Sequence, residues 1–147
     1  MFERILAAID ADPERAAKVL DAAQGLAGAG QGQVLVVHVR DLERSAGMIG
    51  MARPGAIPPR VNFESEETAQ GLVDGAVAKL KSGGAEASGQ VSMAGGSTAR
   101  ELLQIADQFR ADVIVVGDRG SSALDVLLGS VAHKIVNLAK CQVLLVR

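Results

Sequence analysis

Apolar residues follow two rhythms along this chain. Ile5 to Ile9 is an unbroken apolar run, which predicts a strand covered on both faces. Asp12-Pro13 then reads as an N-cap followed by proline at the first helical position. Ala16, Val19, Leu20, Ala23 and Leu26 recur at helical spacing behind it. The same pair of patterns returns further on. Val34 to Val39 predicts a second strand, and Glu64 to Leu80 a second helix with Leu72, Val73, Ala76 and Leu80 inward. Glu86 to Met93 predicts a third strand, interrupted by Gly89. Thr98 to Phe109 predicts a third helix, with Thr98 and Glu101 as a capping box. Val113 to Val116, Val131 to Ala139 and Val143 to Val146 predict the fourth strand, fourth helix and fifth strand.

Strands apolar on both faces and separated by helices imply an α/β fold, a parallel sheet with helices on each side. One region breaks the rhythm. Asp41 to Asn62 holds Pro54, Pro58 and Pro59, three glycines, Met48 and Met51, and its length and composition predict a mobile loop or lid. At 147 residues the chain suits a single domain with a real core. Hydrophobic residues make up 48% and aromatic ones only 2%, so that core is aliphatic. A net charge of −2 offers no attraction for nucleic acid or an anionic membrane. No apolar run is long enough to span a bilayer. The start, Met1-Phe2-Glu3-Arg4, lacks the basic and apolar regions of a secretory signal. The single Cys141 fits a reducing cytoplasm, and the expected localisation is cytoplasmic.

The candidate chemistry lies where the fourth strand ends. Gly117 and Gly120 bracket Asp118 and Arg119, and Gly129-Ser130 opens the next helix. Glycines let backbone N–H groups approach an anion, and a helix start supplies free donors and a positive dipole end. The competing reading is a tight turn from strand to helix, with Ser130 as the N-cap in either case. In an open α/β sheet, ligands sit beyond the strands' carboxyl ends, where strand order reverses. That singles out the loops after Ile9, Val39 and Val116. Asp10, in the first of them, serves equally as a ligand contact or as a cap for the first helix, a role for which Asp12 competes.

Other features carry less. Gly28-Ala29-Gly30-Gln31-Gly32 mimics a dinucleotide fingerprint but follows a helix and precedes a strand, the order of a C-cap and turn. His38 reads as a packed or hydrogen-bonded strand histidine and His133 as a solvated helix residue. Neither has the companions of a zinc site. Cys141 reads as a small buried hydrophobe. There is no Gly-Lys-Ser/Thr phosphate loop, no Gly-x-Ser-x-Gly elbow and no evident catalytic set.

Asp10 after the first strand, His38-Val39 in the second, Gly117-x-x-Gly120 before Gly129-Ser130, and the closing Val143 to Arg147 together resemble the universal stress protein family. The resemblance covers nearly the whole chain outside the proline-rich loop. It implies a single-domain, doubly wound five-stranded parallel sheet in the order 3-2-1-4-5, paired as a homodimer. It also implies a stress-related regulatory protein that binds an adenine nucleotide: ATP, with or without magnesium, or alternatively AMP or cyclic AMP. Asp10 and the backbone of Val39 would contact the adenosine. Gly117, Gly120, Gly129 and Ser130 would line the phosphates, with Val131 adding an N–H and Arg119 within reach as a charged fork.

Two departures stand out. Eight residues separate Gly120 from Gly129, where the family's usual spacing is nine, and Asp118 occupies a position commonly Ser or Thr. A carboxylate there repels phosphate unless a cation bridges them or the side chain turns away. Nothing reads as a base or nucleophile, so the expectation is a binding protein and not an enzyme. The rival readings are a dimeric interaction module with a vestigial pocket and a slow ATPase. The last strand, Val143 to Val146, would pair the two copies.

Overall fold

A computed structural model describes residues 2–41, 64–118 and 129–147. Their elements are β1 (Arg4–Ala8), α1 (Pro13–Gly30), β2 (Gln33–Asp41), α2 (Glu66–Ser82), β3 (Glu86–Ala94), α3 (Thr98–Phe109), β4 (Val113–Gly117), α4 (Ser130–Leu138) and β5 (Gln142–Val146). All four strand pairings are parallel, and the order is β3-β2-β1-β4-β5. The expected fold class and order hold. The expected mobile loop, apart from Asp41 at the end of β2, lies outside the described residues.

Alternation along the central strands builds two cores. Ile5 and Ala7 of β1, Val34 and Val36 of β2, and Val113 and Val115 of β4 face one side. There they meet Val19, Leu20 and Ala23 of α1 and Val73, Ala76 and Leu80 of α2. Leu6, Val37, Ile114 and Val116 face the other side, against Leu102, Ile105 and Ala106 of α3 and Ile135 of α4. Both faces of the sheet are therefore covered, which explains the continuous apolar runs. Among the described residues, no helix is long and apolar enough to cross a membrane.

Several local expectations needed correction. β3 is not interrupted at Gly89 but runs through it, paired to Val36. Glycine is required there because α2 lies so close that a Cβ would overlap Val73 Cγ1. Asp12 does cap α1, accepting from the N–H groups of Glu14 and Arg15 at 3.0 Å each. The left-handed residue that ends α1 is Gln31, not one of its neighbouring glycines. The capping box at Thr98 does not form. Ser97 caps α3, and Glu101 instead accepts from the Ser92 hydroxyl on β3. Ser130 is the first helical residue of α4, and Gly129 holds the cap position without a side chain to bond. Cys141 is half-buried, and burial pushes its thiol above the ordinary value.

Candidate functional site

β1 lies at the centre of the sheet, with β2 on one side and β4 on the other, so strand order reverses across its carboxyl end. A cavity of about 540 Å³ opens there. This volume is in the range of small-molecule sites, roughly 300–1,000 Å³. Its floor is the strand ends: Ile9 and Asp10 after β1, His38 and Val39 of β2, and Val116 and Gly117 of β4. Its rim is built from helix starts, including Arg15 of α1, Ser97 and Thr98 at α3, and Gly129, Ser130 and Val131 at α4. Parallel strands bring their ends and the following helix starts to one edge of the sheet. The resulting wall carries the positive dipole ends of those helices.

The β2 side has an unusual termination. Ile9 N–H donates to Val37 O at 3.0 Å, so Val37 directs its polar backbone toward β1. Two residues on, Val39 directs its N–H and C=O the same way. A further rung would take Val39 N–H to Ile9 O. Instead that oxygen meets His38 Nδ1 at 3.0 Å. β1 ends at Ala8, and the backbone edge of Val39 beyond it lies at the crevice. His38 is 5% exposed, and its Nε2 lies 2.8 Å from Glu64 Oε2. The Glu64 carbonyl accepts from Arg40 Nε at 3.1 Å and from its terminal nitrogen at 2.6 Å. Glu64 also lines the cavity.

Asp10 is held by its neighbours. Oδ1 accepts from Asp12 N–H at 3.0 Å and Oδ2 from Arg15 Nε at 2.8 Å. Asp12 takes the cap, and Asp10 lies on the cavity wall. Its side-chain bond to Asp10 holds the Arg15 guanidinium above the usual value. Asp12 is held below the usual carboxylate value, chiefly by the Arg15 backbone N–H.

On the β4 side, the tight-turn reading of the glycines falls on a loop whose residues 119–128 lie outside the described ones. Gly129 sits at φ −53° and ψ 151°, open to any residue, and Gly117 has no positive φ. What Gly129 contributes is a bare backbone at the head of α4. Asp118 is buried, but it is not on the cavity wall. Its Oδ1 accepts from Gly129 N–H at 3.3 Å, and its Oδ2 lies 3.7 Å from Arg147 Nε. Of the two options for this carboxylate, the side chain has turned away. Arg119 and Gly120 lie outside the described residues.

The cavity thus brings together Asp10, Val39, Gly117, Gly129, Ser130 and Val131 from the sequence-predicted set, while Asp118 stands behind it. Sequence reasoning missed Arg15, Glu64, Ser97, Thr98 and Lys134 on the same wall. Arg15 had a signal, being three residues beyond the Asp12 cap and so in the first turn behind Asp10. Glu64 had none, because its place depends on α2 packing. His133 is exposed, beside Asn137, as expected of a solvated helix residue. Among the described residues, no group of three or more His, Cys, Asp or Glu is placed to hold a metal ion.

Comparison with known proteins bears on the family and the fold. The model of the universal stress protein family matches residues 1–147. Universal stress protein YxiE of Bacillus subtilis is 33% identical over 151 residues, covering all of both chains. The structure of the universal stress protein from Archaeoglobus fulgidus is 25% identical with a TM-score of 0.75, covering 100% of this chain and 95% of that one. A structure of the Archaeoglobus fulgidus universal stress protein in complex with dAMP is 23% identical with a TM-score of 0.69, covering 100% and 98%. Matched along its whole length by the family model and by an intact relative, the chain belongs to the universal stress protein family.

Proposed function

We propose that this protein binds an adenine nucleotide, ATP foremost and AMP or cyclic AMP as alternatives, and works as a stress-related regulatory module. The observation that carries this reading is the convergence of Asp10, the open backbone edge of Val39, and the N-terminus of α4 on one cavity. The base and ribose would lie toward β1 and β2, and the phosphates toward Gly117, Gly129 and Ser130. Free N–H groups and the dipole of α4 favour an anion there. Lys134 on the wall adds positive charge, and Arg119 and Gly120 complete the phosphate loop in this reading. Magnesium, where present, would accompany the ATP phosphates. The dAMP held by the Archaeoglobus fulgidus protein supports the ligand class.

The residues on the wall bind and orient but offer no evident base or nucleophile. Phosphoryl transfer needs positioning together with charge stabilisation, so hydrolysis is expected to be slow or absent. The protein is proposed to act in the cytoplasm as a homodimer joined through Val143 to Val146. β5 is an edge strand, and Leu144 on it is 38% exposed, which favours a covering partner.

The test is direct. Purified protein is denatured and the supernatant examined for nucleotide absorbance, and calorimetry then measures ATP, AMP and cyclic AMP binding. Saturable binding of one of them is expected. Failure of all three to bind refutes the nucleotide reading and leaves the interaction module. A turnover of about one per second or faster with magnesium and ATP refutes the binding-module reading in favour of an enzyme.

A further inference from the structure

We propose that Glu64, clamped from behind by His38 and Arg40, reads the exocyclic amine of the bound base and so sets a preference for adenine over bases with a carbonyl at that position. The inference rests on the nucleotide reading above, and names the residue that makes the site selective.

Three observations lead to it. Glu64 lines the cavity beside His38 and Val39, on the side assigned to the base. It is fixed at both ends, its carboxylate by His38 Nε2 at 2.8 Å and its carbonyl by Arg40 at 2.6 and 3.1 Å. The clamp is itself anchored, since His38 is buried and its other nitrogen is bonded to Ile9 O. A side chain held this way gives up little further freedom when it meets a ligand. Among the described residues, His38 engages Oε2 and Oε1 is left for the ligand in this reading. The other wall carboxylate, Asp10, already has both oxygens engaged, by Asp12 N–H and Arg15.

The chemistry of the wall then selects the base. The backbone edge of Val39 offers one donor and one acceptor side by side. Adenine presents the complement, a ring-nitrogen acceptor beside an amine donor. That amine has a second hydrogen, and a fixed carboxylate at Glu64 accepts it in a charge-assisted bond. Hypoxanthine or guanine places a carbonyl oxygen there instead. It would face the Val39 carbonyl and the Glu64 carboxylate, three acceptors with no proton among them. A site built around a hydrogen-bonding group rejects an analogue lacking it because its own polar groups are left unpaired. His38 and Arg40 act in this as positioning residues.

The experiment is a calorimetric comparison of AMP with IMP on the wild-type protein, Glu64→Gln and Glu64→Ala. Circular dichroism checks that each variant is folded. Wild type is expected to bind AMP at least about tenfold more tightly than IMP. Glu64→Ala should weaken AMP about tenfold, the worth of one hydrogen bond to a charged group, and should improve IMP by removing one of the acceptors that face its carbonyl. Glu64→Gln should improve IMP binding, because its amide can turn an N–H toward the carbonyl. An AMP-to-IMP ratio unchanged in both folded variants overturns the proposal while leaving nucleotide binding intact. Wild type that binds AMP and IMP equally also overturns it. Wild type that binds neither, nor ATP nor cyclic AMP, overturns the nucleotide reading and this inference with it.

Discussion

Among the described glycines Gly89 has the least room for a Cβ, and Gly89→Ala measures how closely α2 is seated on β3. A Cβ there would overlap Val73 Cγ1 and stand 3.0 Å from Val77 Cγ2. Favourable carbon contacts lie near 3.5–4.0 Å, so Val73 must rotate or α2 must move outward. Val73 is fully buried among Leu80 and Val34, which closes the easy rotation. Overpacking of this kind costs about 1–3 kcal/mol. Against it stands a gain of about 0.5–1 kcal/mol, because alanine loses less backbone freedom than glycine on entering a strand. The net expectation is a loss of about 1–2 kcal/mol, a fall in melting temperature of about 3–6 °C for a chain this long. Urea unfolding of the single variants and of Gly89→Ala with Val73→Ala gives the decisive comparison. Val73→Ala alone should cost about 2 kcal/mol. In the double variant the smaller side chain makes space for the new methyl, so the combined loss should fall short of the sum by about 1 kcal/mol. A Gly89→Ala protein as stable as wild type, or strictly additive losses, would refute the close-approach argument. The same variant has a functional side. Ser65 caps α2 and adjoins Glu64, so an outward shift of the helix should weaken nucleotide binding as well.

Three further outcomes are expected. Asp118→Ala should cost about 1–2 kcal/mol through the lost bond to Gly129 N–H, and Asp118→Ser should not tighten ATP binding. Tighter binding in a calorimetric titration would mean that the carboxylate faces the phosphates after all. Asp12 carries a folded-state value below its ordinary 3.8, first because the Arg15 N–H bonds the charged form. Its contribution is therefore complete above about pH 4 and lost as pH falls through the lower folded value. In acid denaturation followed by circular dichroism, Asp12→Asn should flatten that limb of the curve, and an unchanged limb would contradict the cap assignment. Leu144→Lys should convert a dimer to a monomer in light scattering at micromolar concentration. Leu144 suits this test because it is exposed, whereas Val143 packs toward the α3 and α4 face. A wild-type monomer would end the dimer proposal.

Much of this protein could be read from the order of its residues alone. The apolar runs at Ile5, Val34 and Val113 place strands because a strand buried on both faces must be apolar throughout. The Asp12-Pro13 start places a helix because proline lacks an N–H that a first turn does not need. Those signals are local, so they survive without any knowledge of contacts. The glycine and serine pattern after Val116 marks one side of the candidate site for the same reason. Tertiary structure decided what depends on partners distant in sequence. Gly89 looks like a break in a strand until Val73 is packed against it. Asp118 looks like a charge set against the phosphates until its carboxylate meets Gly129 and Arg147. Glu64 looks like an ordinary surface acid near a helix start. It becomes part of the cavity where α2 packs and where His38, twenty-six residues earlier, meets its carboxylate. His38 is itself fixed through the Ile9 carbonyl, a contact that exists only when β1 and β2 lie side by side.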